Sequence, residues 1–308
     1  MSIENKKVYA VIASWNGAEW IAQAVESLQG STVPVHIVVI DNASSDETVA
    51  IVKKSFEDVE VLSMPENLGF ARANNHGMRY ALSRGADYLL LLNQDAKVSP
   101  DTVKALVAIS ENHQDFGIIS PLHLTYHGEA VEPTFFSFIK DTTELISDGL
   151  LKKMHDLYEV DFVNAAIWLV SRKAIERVGG FDPIFFMYGE DNDYCTRARY
   201  HGFKVGVTPA AVAFHVNGGN SGREIDFSRQ CLKLISQIIH RLKRPDHIFI
   251  LSCLGLVVSW AQRAVLQIMD CDFKGFAATA LSFTRVALKL FPVWQHYRQC
   301  RRPGASWL

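Results

Sequence analysis

The run Val8-Tyr9-Ala10-Val11-Ile12-Ala13-Ser14, breaking at once into Trp15-Asn16-Gly17, is apolar at odd and even positions alike until its last residue. A strand with one wet face alternates, whereas a strand covered on both faces does not. The run therefore reads as a strand buried between two layers. Val35-His36-Ile37-Val38-Val39-Ile40-Asp41 and Tyr88-Leu89-Leu90-Leu91-Leu92 repeat the pattern. Helical signals lie between them. Ser44-Ser45-Asp46-Glu47 offers a cap and acidic residues before Val49, Ile51 and Val52, Gly69 to Arg84 is ended by Gly85, and Ser99-Pro100-Asp101 opens a further helix. Buried strands alternating with helices predict an α/β fold, with a mostly parallel sheet flanked by helices.

The 308 residues suit one large α/β domain or two domains. With 48% hydrophobic and 21% charged residues, a disordered tail, a collagen-like repeat and an acidic solvating chain are excluded. The net charge of −2 argues against a nucleic-acid binder. That total hides a split: twelve Lys/Arg stand against three Asp/Glu from Ser228 to Leu308, and nineteen against thirty before it. A basic, apolar tail on an acidic body points to an anionic surface such as a membrane face. The five cysteines are odd in number and form no C-x-x-C pair, so a reducing cytosol is expected. Met1 to Lys7 shows no apolar signal region. The longest apolar stretch, Ile248 to Trp260, is thirteen residues and reads as an interfacial or buried helix rather than a transmembrane one. Leu122 to Glu159 reads as a polar, irregular insertion on the substrate side. The chain after Asp226 reads as helical, with breaks at Pro245 and Pro292.

Ligands of open parallel sheets bind beyond the carboxyl ends of the strands. Those ends here are Ser14-Trp15-Asn16-Gly17, Asp41-Asn42-Ala43-Ser44-Ser45-Asp46 and Asn93-Gln94-Asp95, three polar turns as in a nucleotide cleft. Neither G-x-G-x-x-G nor G-x-x-x-x-G-K-[ST] occurs, which removes dinucleotide dehydrogenases and phosphate-loop NTPases. Asp41 has two readings: a carboxylate meeting a base imide or a ribose, or a local turn onto its own backbone. Asp95 likewise is a hard-cation ligand or a turn residue. The segment Phe185-Phe186-Met187-Tyr188-Gly189-Glu190-Asp191-Asn192-Asp193 places three acids at a helix start behind an aromatic loop. Such acids either complement the helix dipole or, in a partly apolar cleft, supply a general base. His215 is a metal or phosphate ligand, or a satisfied structural histidine.

Taken in order, these segments resemble the family 2 inverting nucleotide-sugar glycosyltransferases, within them the bacterial rhamnosyltransferase-like branch. Asn67-Leu68-Gly69-Phe70-Ala71-Arg72-Ala73-Asn74-Asn75-His76-Gly77 and His215 to Ser221 complete the match, which covers roughly residues 7 to 222. The resemblance implies a GT-A fold over residues 1–226, with a helical C-terminal extension over 227–308. It implies that Ser14, Asn16, Asp41, Asn67, Arg72, Asn74, Asn93 and Asp95 bind the nucleotide sugar. Trp168, Tyr188 and Glu190 would face the acceptor, Asp191 would be the base, and Asp95 with His215 would hold Mg²⁺ or Mn²⁺. Relatives commonly carry Asp-x-Asp or Asn-Pro-Asp where this chain has Asn93-Gln94-Asp95, so weak metal binding is expected.

The activity implied is inverting transfer of L-rhamnose from dTDP-rhamnose to a glycan or lipid-linked glycan acceptor in bacterial O-antigen, capsule or cell-wall synthesis. A UDP-hexose or UDP-N-acetylhexosamine donor is the alternative. Rivals of other classes are a nucleotidyltransferase, which would need a basic Gly-rich loop after the first strand, and a non-catalytic scaffold, which would not need Asp95 and Asp191. The expected location is the cytoplasm, peripheral at the inner membrane face. The tail would touch membrane, pack internally or form a homodimer contact.

Overall fold

The computed structural model describes residues 5–216, 227–304 and 306–308. The chain begins β1 (Val8–Ser14), α1 (Ile21–Gln29), β2 (Val35–Asp41), α2 (Thr48–Ser55), β3 (Glu60–Ser63), α3 (Gly69–Ser83) and β4 (Tyr88–Leu92). It continues with β5 (Ala96–Val98), α4 (Thr102–Asn112), β6 (Phe116–Thr125), α5 (Pro133–Ile139), α6 (Thr143–Leu151), β7 (Tyr158–Val160), β8 (Ile167–Ser171), α7 (Arg172–Val178), α8 (Glu190–Tyr200) and β9 (Lys204–His215). Four helices follow: α9 (Phe227–Lys243), α10 (Phe249–Met269), α11 (Phe273–Ala287) and α12 (Leu290–Cys300).

One nine-stranded sheet runs β3-β2-β1-β4-β8-β6-β9-β5, with β7 on β9. Its β3-β2-β1-β4 half is parallel, as the buried runs predict. Beyond β4 it is mixed, because β8 is antiparallel to both β4 and β6, whereas β9 is parallel to β6. The absence of alternation in β1 has a direct cause. Tyr9 and Val11 enter the core layer shared with α3, while Val8, Ala10 and Ile12 enter the layer shared with α1 and α4.

The expected irregular insertion is helical instead. Glu132 caps α5 by accepting from the amides of Thr134 (3.0 Å) and Phe135 (2.5 Å), and Pro133 occupies its first turn. The cap turns Phe135 and Ile139 inward, where both are buried. Pro292 also departs from expectation: it lies in the first turn of α12, where a missing N–H costs nothing, and the break falls at Leu288-Lys289. All five cysteines are free thiols.

The C-terminal helices dock through a buried ion cluster. Lys243 of α9 is fully enclosed, donates to Asp193 Oδ1 of α8 (2.7 Å) and pairs with Asp182. Arg197 Nε donates to Asp193 Oδ2 at 2.7 Å, and His296 Nδ1 of α12 lies 2.6 Å from Asp182 Oδ1. The last residues close over this cluster. The Gly180 amide donates to the Ser306 carbonyl (2.8 Å), and Arg197 and Lys243 lie 4.9 and 5.5 Å from the Trp307 ring centre.

Candidate active site

The carboxyl ends of β1, β2 and β4 are tied together by side chains. Gln94 Oε1 accepts from Ser14 Oγ (2.7 Å) and the Trp15 amide (2.9 Å), and Gln94 Nε2 donates to the Trp15 carbonyl (3.3 Å). A Cβ at Gly17 would sit 2.3 Å from that Oε1, so the clasp needs glycine there. Asn16, at φ 48°, accepts the Ser45 amide at 2.8 Å and donates its own amide to Ser44 Oγ at 2.9 Å. Asn42 Oδ1 accepts the Leu68 amide (2.7 Å) and Asn42 Nδ2 donates to Asn67 Oδ1 (2.9 Å), anchoring the start of α3. Gly69, at φ 77°, lets the Phe186 carbonyl approach closely enough to accept the Phe70 amide at 3.0 Å.

These ties shape a hollow of about 230 Å³ bordered by Ser14, Trp15, Asn42, Asn67, Asp95 and Met187, among others. Among the described residues, larger hollows lie beside α12 and at the amino end of β2, and neither meets a strand carboxyl end of the parallel half.

On one flank, the β5–β9 pairing sets Ala96 opposite His215 and brings Asp95 Oδ1 within 3.4 Å of His215 Nε2. Asn93 Nδ2 is 3.5 Å from the same nitrogen. His215 Nδ1 is buried without a partner among the described residues. Behind it, fully buried His123 stacks on Phe135 and is held neutral: burial, then the neighbouring His215, pushes its pKa down to about 3. A carboxylate oxygen and an imidazole nitrogen at this separation, beside an open hollow, fit two ligands of one divalent ion with room left for phosphate oxygens. Among the described residues, another close group of metal-capable side chains is Glu144, Asp148 and His155, on α6 and the segment after it.

Met187, in the loop before α8, also lines the hollow, and α8 is entered through positive φ at Tyr188 (68°) and Gly189 (85°). Asp191 is half-buried and accepts the Asn192 amide at 2.8 Å, with the Ala165 backbone close enough to favour its charged form. The adjacent Ala166 carbonyl accepts the Asn93 amide at 2.9 Å. Ala165 and Ala166 thus link the surroundings of Asp191 to the Asn93-Gln94-Asp95 turn. Burial raises the Asp191 pKa above the usual carboxylate range. Glu190 is buried with Oε2 unpartnered, and burial, then the Asp191 charge, pushes it up to about 8. Asp193 points away, and despite its burial Lys243 and Arg197 hold it ionised, well below the ordinary carboxylate range.

Other expected site residues are placed as follows in the fold. Asp41 is buried with Oδ1 on the Ser44 amide (3.1 Å), the local-turn reading; its neighbour Asn42, which the sequence does not single out, borders the hollow. Asn74 is buried within α3 and donates to the Phe70 carbonyl at 3.0 Å. Trp168 is fully enclosed in β8 between β4 and β6 and lies beside Phe181, which removes it from the acceptor face. Arg72 is exposed on α3. Tyr188 accepts from Arg229 Nε of α9 at 2.6 Å. Of the His215 to Ser221 motif, residues 217–221 lie outside the described residues.

The model of glycosyl transferase family 2 matches residues 9–179. The low-salt glycan biosynthesis hexosyltransferase Agl10 of Haloferax volcanii is 29% identical over 210 residues, 67% of this chain and 66% of that protein. The N-acetylglucosaminyl-diphospho-decaprenol L-rhamnosyltransferase of Mycobacterium tuberculosis is 24% identical over 218 residues, 62% of this chain and 69% of that protein. Among solved structures, GalNAc-T7 with UDP, GalNAc and Mn²⁺ superposes with a TM-score of 0.57 at 17% identity, over 79% of this chain and 51% of the other. With the match spanning more than half its length and a GT-A sheet beneath the hollow, the chain belongs to glycosyl transferase family 2.

Proposed function

We propose that the protein transfers a sugar from a nucleoside diphosphate to a glycan hydroxyl with inversion at the anomeric carbon. The observation that carries this reading is the hollow at the strand ends, lined by Asp95, which lies 3.4 Å from His215, and by Met187 of the loop that leads into the α8 acid turn. Ser14, Asn67, Asn93 and Asn16 bind or shape the donor site, and Asp95 with His215 would hold Mg²⁺ or Mn²⁺. Such an ion supplies positive charge to the departing diphosphate. Asp191 takes the proton of the acceptor hydroxyl; that oxygen forms the bond to the anomeric carbon as the bond to the diphosphate oxygen breaks with its electron pair. The raised pKa of Asp191 suits it to this role, since a stronger base accepts the proton more readily. Glu190 and Tyr188 face the acceptor side.

The L-rhamnosyltransferase relative supports L-rhamnose as the sugar and a lipid-linked glycan as acceptor, and the resemblance to the rhamnosyltransferase-like branch supports dTDP as the sugar's carrier. In this reading the enzyme works on the cytoplasmic side of a membrane, where nucleotide sugars are available. A UDP-hexose or UDP-N-acetylhexosamine is the second donor reading, favoured by the fold shared with a structure holding UDP and GalNAc. Incubation with a panel of nucleotide sugars and acceptors, read as free dTDP or UDP, separates these. Release from dTDP-rhamnose in an acceptor-dependent manner is expected. No release from any donor would leave the non-catalytic scaffold.

A further inference from the structure

The geometry points to α10 as a docking surface for an anionic lipid bilayer, with the helix lying in the plane of the membrane. At about 100° per residue, Ile250, Leu251, Leu254, Val258, Val265 and Met269 fall within one arc of roughly 100° along a helix about 30 Å long. All six are exposed, Leu254 at 60% and Val258 at 56%. A surface helix ordinarily turns such a stripe inward. Here the inward face is a different one: Arg241 donates to Ser259 Oγ (2.9 Å), Trp260 packs on Phe283, and Cys253 and Leu256 pack against the core under α9. The helix is therefore fixed to the protein along one side and bare and apolar along the opposite side. The sequence stretch of thirteen residues understates it, since the helix runs for 21 residues and only 11% of its most apolar window is buried.

Charge selects the occupant. Besides the enclosed Lys243, the chain from Ser228 onward carries eleven cationic side chains against three anionic ones. Two such tails facing each other in a dimer would repel, whereas anionic headgroups attract them. The fixed inner face favours an interfacial helix over one that crosses the bilayer with lipid on all sides. This inference stands apart from the transferase reading, because binding is measured with no sugar present.

Full-length protein is floated with phosphatidylglycerol-containing vesicles and with pure phosphatidylcholine vesicles. The protein is expected to float with the anionic vesicles, less at high salt, and to come off in alkaline carbonate. Leu254→Glu/Val258→Glu, both at exposed positions, is expected to lower the bound fraction about tenfold or more while leaving the thermal unfolding transition in place. Equal flotation of the double variant, resistance to carbonate, or a dimer in sedimentation velocity that the same variant dissolves without any flotation by the parent would each overturn the proposal.

Discussion

Glu190 has a buried carboxyl pushed up to about 8, and its sign in stability follows from that. The unfolded chain releases this proton near the ordinary value of about 4.3, the folded chain only near 8, so the folded state loses stability as pH rises between them. Glu190→Gln should remove the effect. Its melting temperature is expected to match the parent near pH 4.5 and to exceed it by several degrees at pH 8, measured by calorimetry; a parallel pair of curves would contradict the assignment. Gln94 makes a second prediction at this scale. Its clasp ties Ser14 to Trp15, so Gln94→Ala should loosen the β1 end and weaken nucleotide affinity by roughly 1–2 kcal/mol. Titration calorimetry with dTDP and UDP checks it. The acid run 190–193 was plain in the sequence, but the division of labour within it was not. Three neighbouring carboxylates acquire different properties because burial raises two of them, while Lys243, fifty residues on, joins Arg197 in neutralising the third.

At the scale of elements, α9 and α8 are joined by a buried charge that cannot be removed alone. Lys243→Met would leave Asp182 and Asp193 enclosed together with less compensation, at a cost of about 3–5 kcal/mol in denaturant unfolding. Adding Asp193→Asn to that variant should recover part of the loss; no recovery would mean that packing, not charge, dominates. Elements also mark where sequence reading succeeds. The strands β1, β2 and β4 and helices α3 and α8 are legible because burial on two faces and helix termini leave local signatures. The pairing of β5 with β9 is not, since it joins residues about 120 apart, and with it goes the contact between Asp95 and His215. The 122–159 segment misleads because a polar surface hides the few inward residues, such as Phe135, that make it helical. In α10, Gln262 and Arg263 end the apolar run in sequence, although the helix runs unbroken through them to Met269.

For the whole molecule, the C-terminal residues are part of the catalytic body's support. Ser306 and Trp307 cover the ion cluster, and Leu308 packs against the core layer of α3. A chain ending at Gly304 should unfold at lower temperature, by several degrees, and a chain ending at residue 226 should expose Asp182 and Asp193 and aggregate. Retention of the full transition by the shorter chain would show that the tail merely rests on the surface.

The central claim is that one hollow holds the donor against Asp95 while Asp191 works on the acceptor, and a paired measurement divides the two roles. Asp95→Asn and Asp191→Asn are compared for nucleotide binding in the presence of Mn²⁺ and for turnover of the active donor. Asp95→Asn is expected to weaken both. Asp191→Asn is expected to bind nucleotide like the parent and to lose on the order of a hundredfold or more in turnover. Near-normal turnover by Asp191→Asn, or unchanged Mn²⁺-dependent binding by Asp95→Asn, would contradict the account.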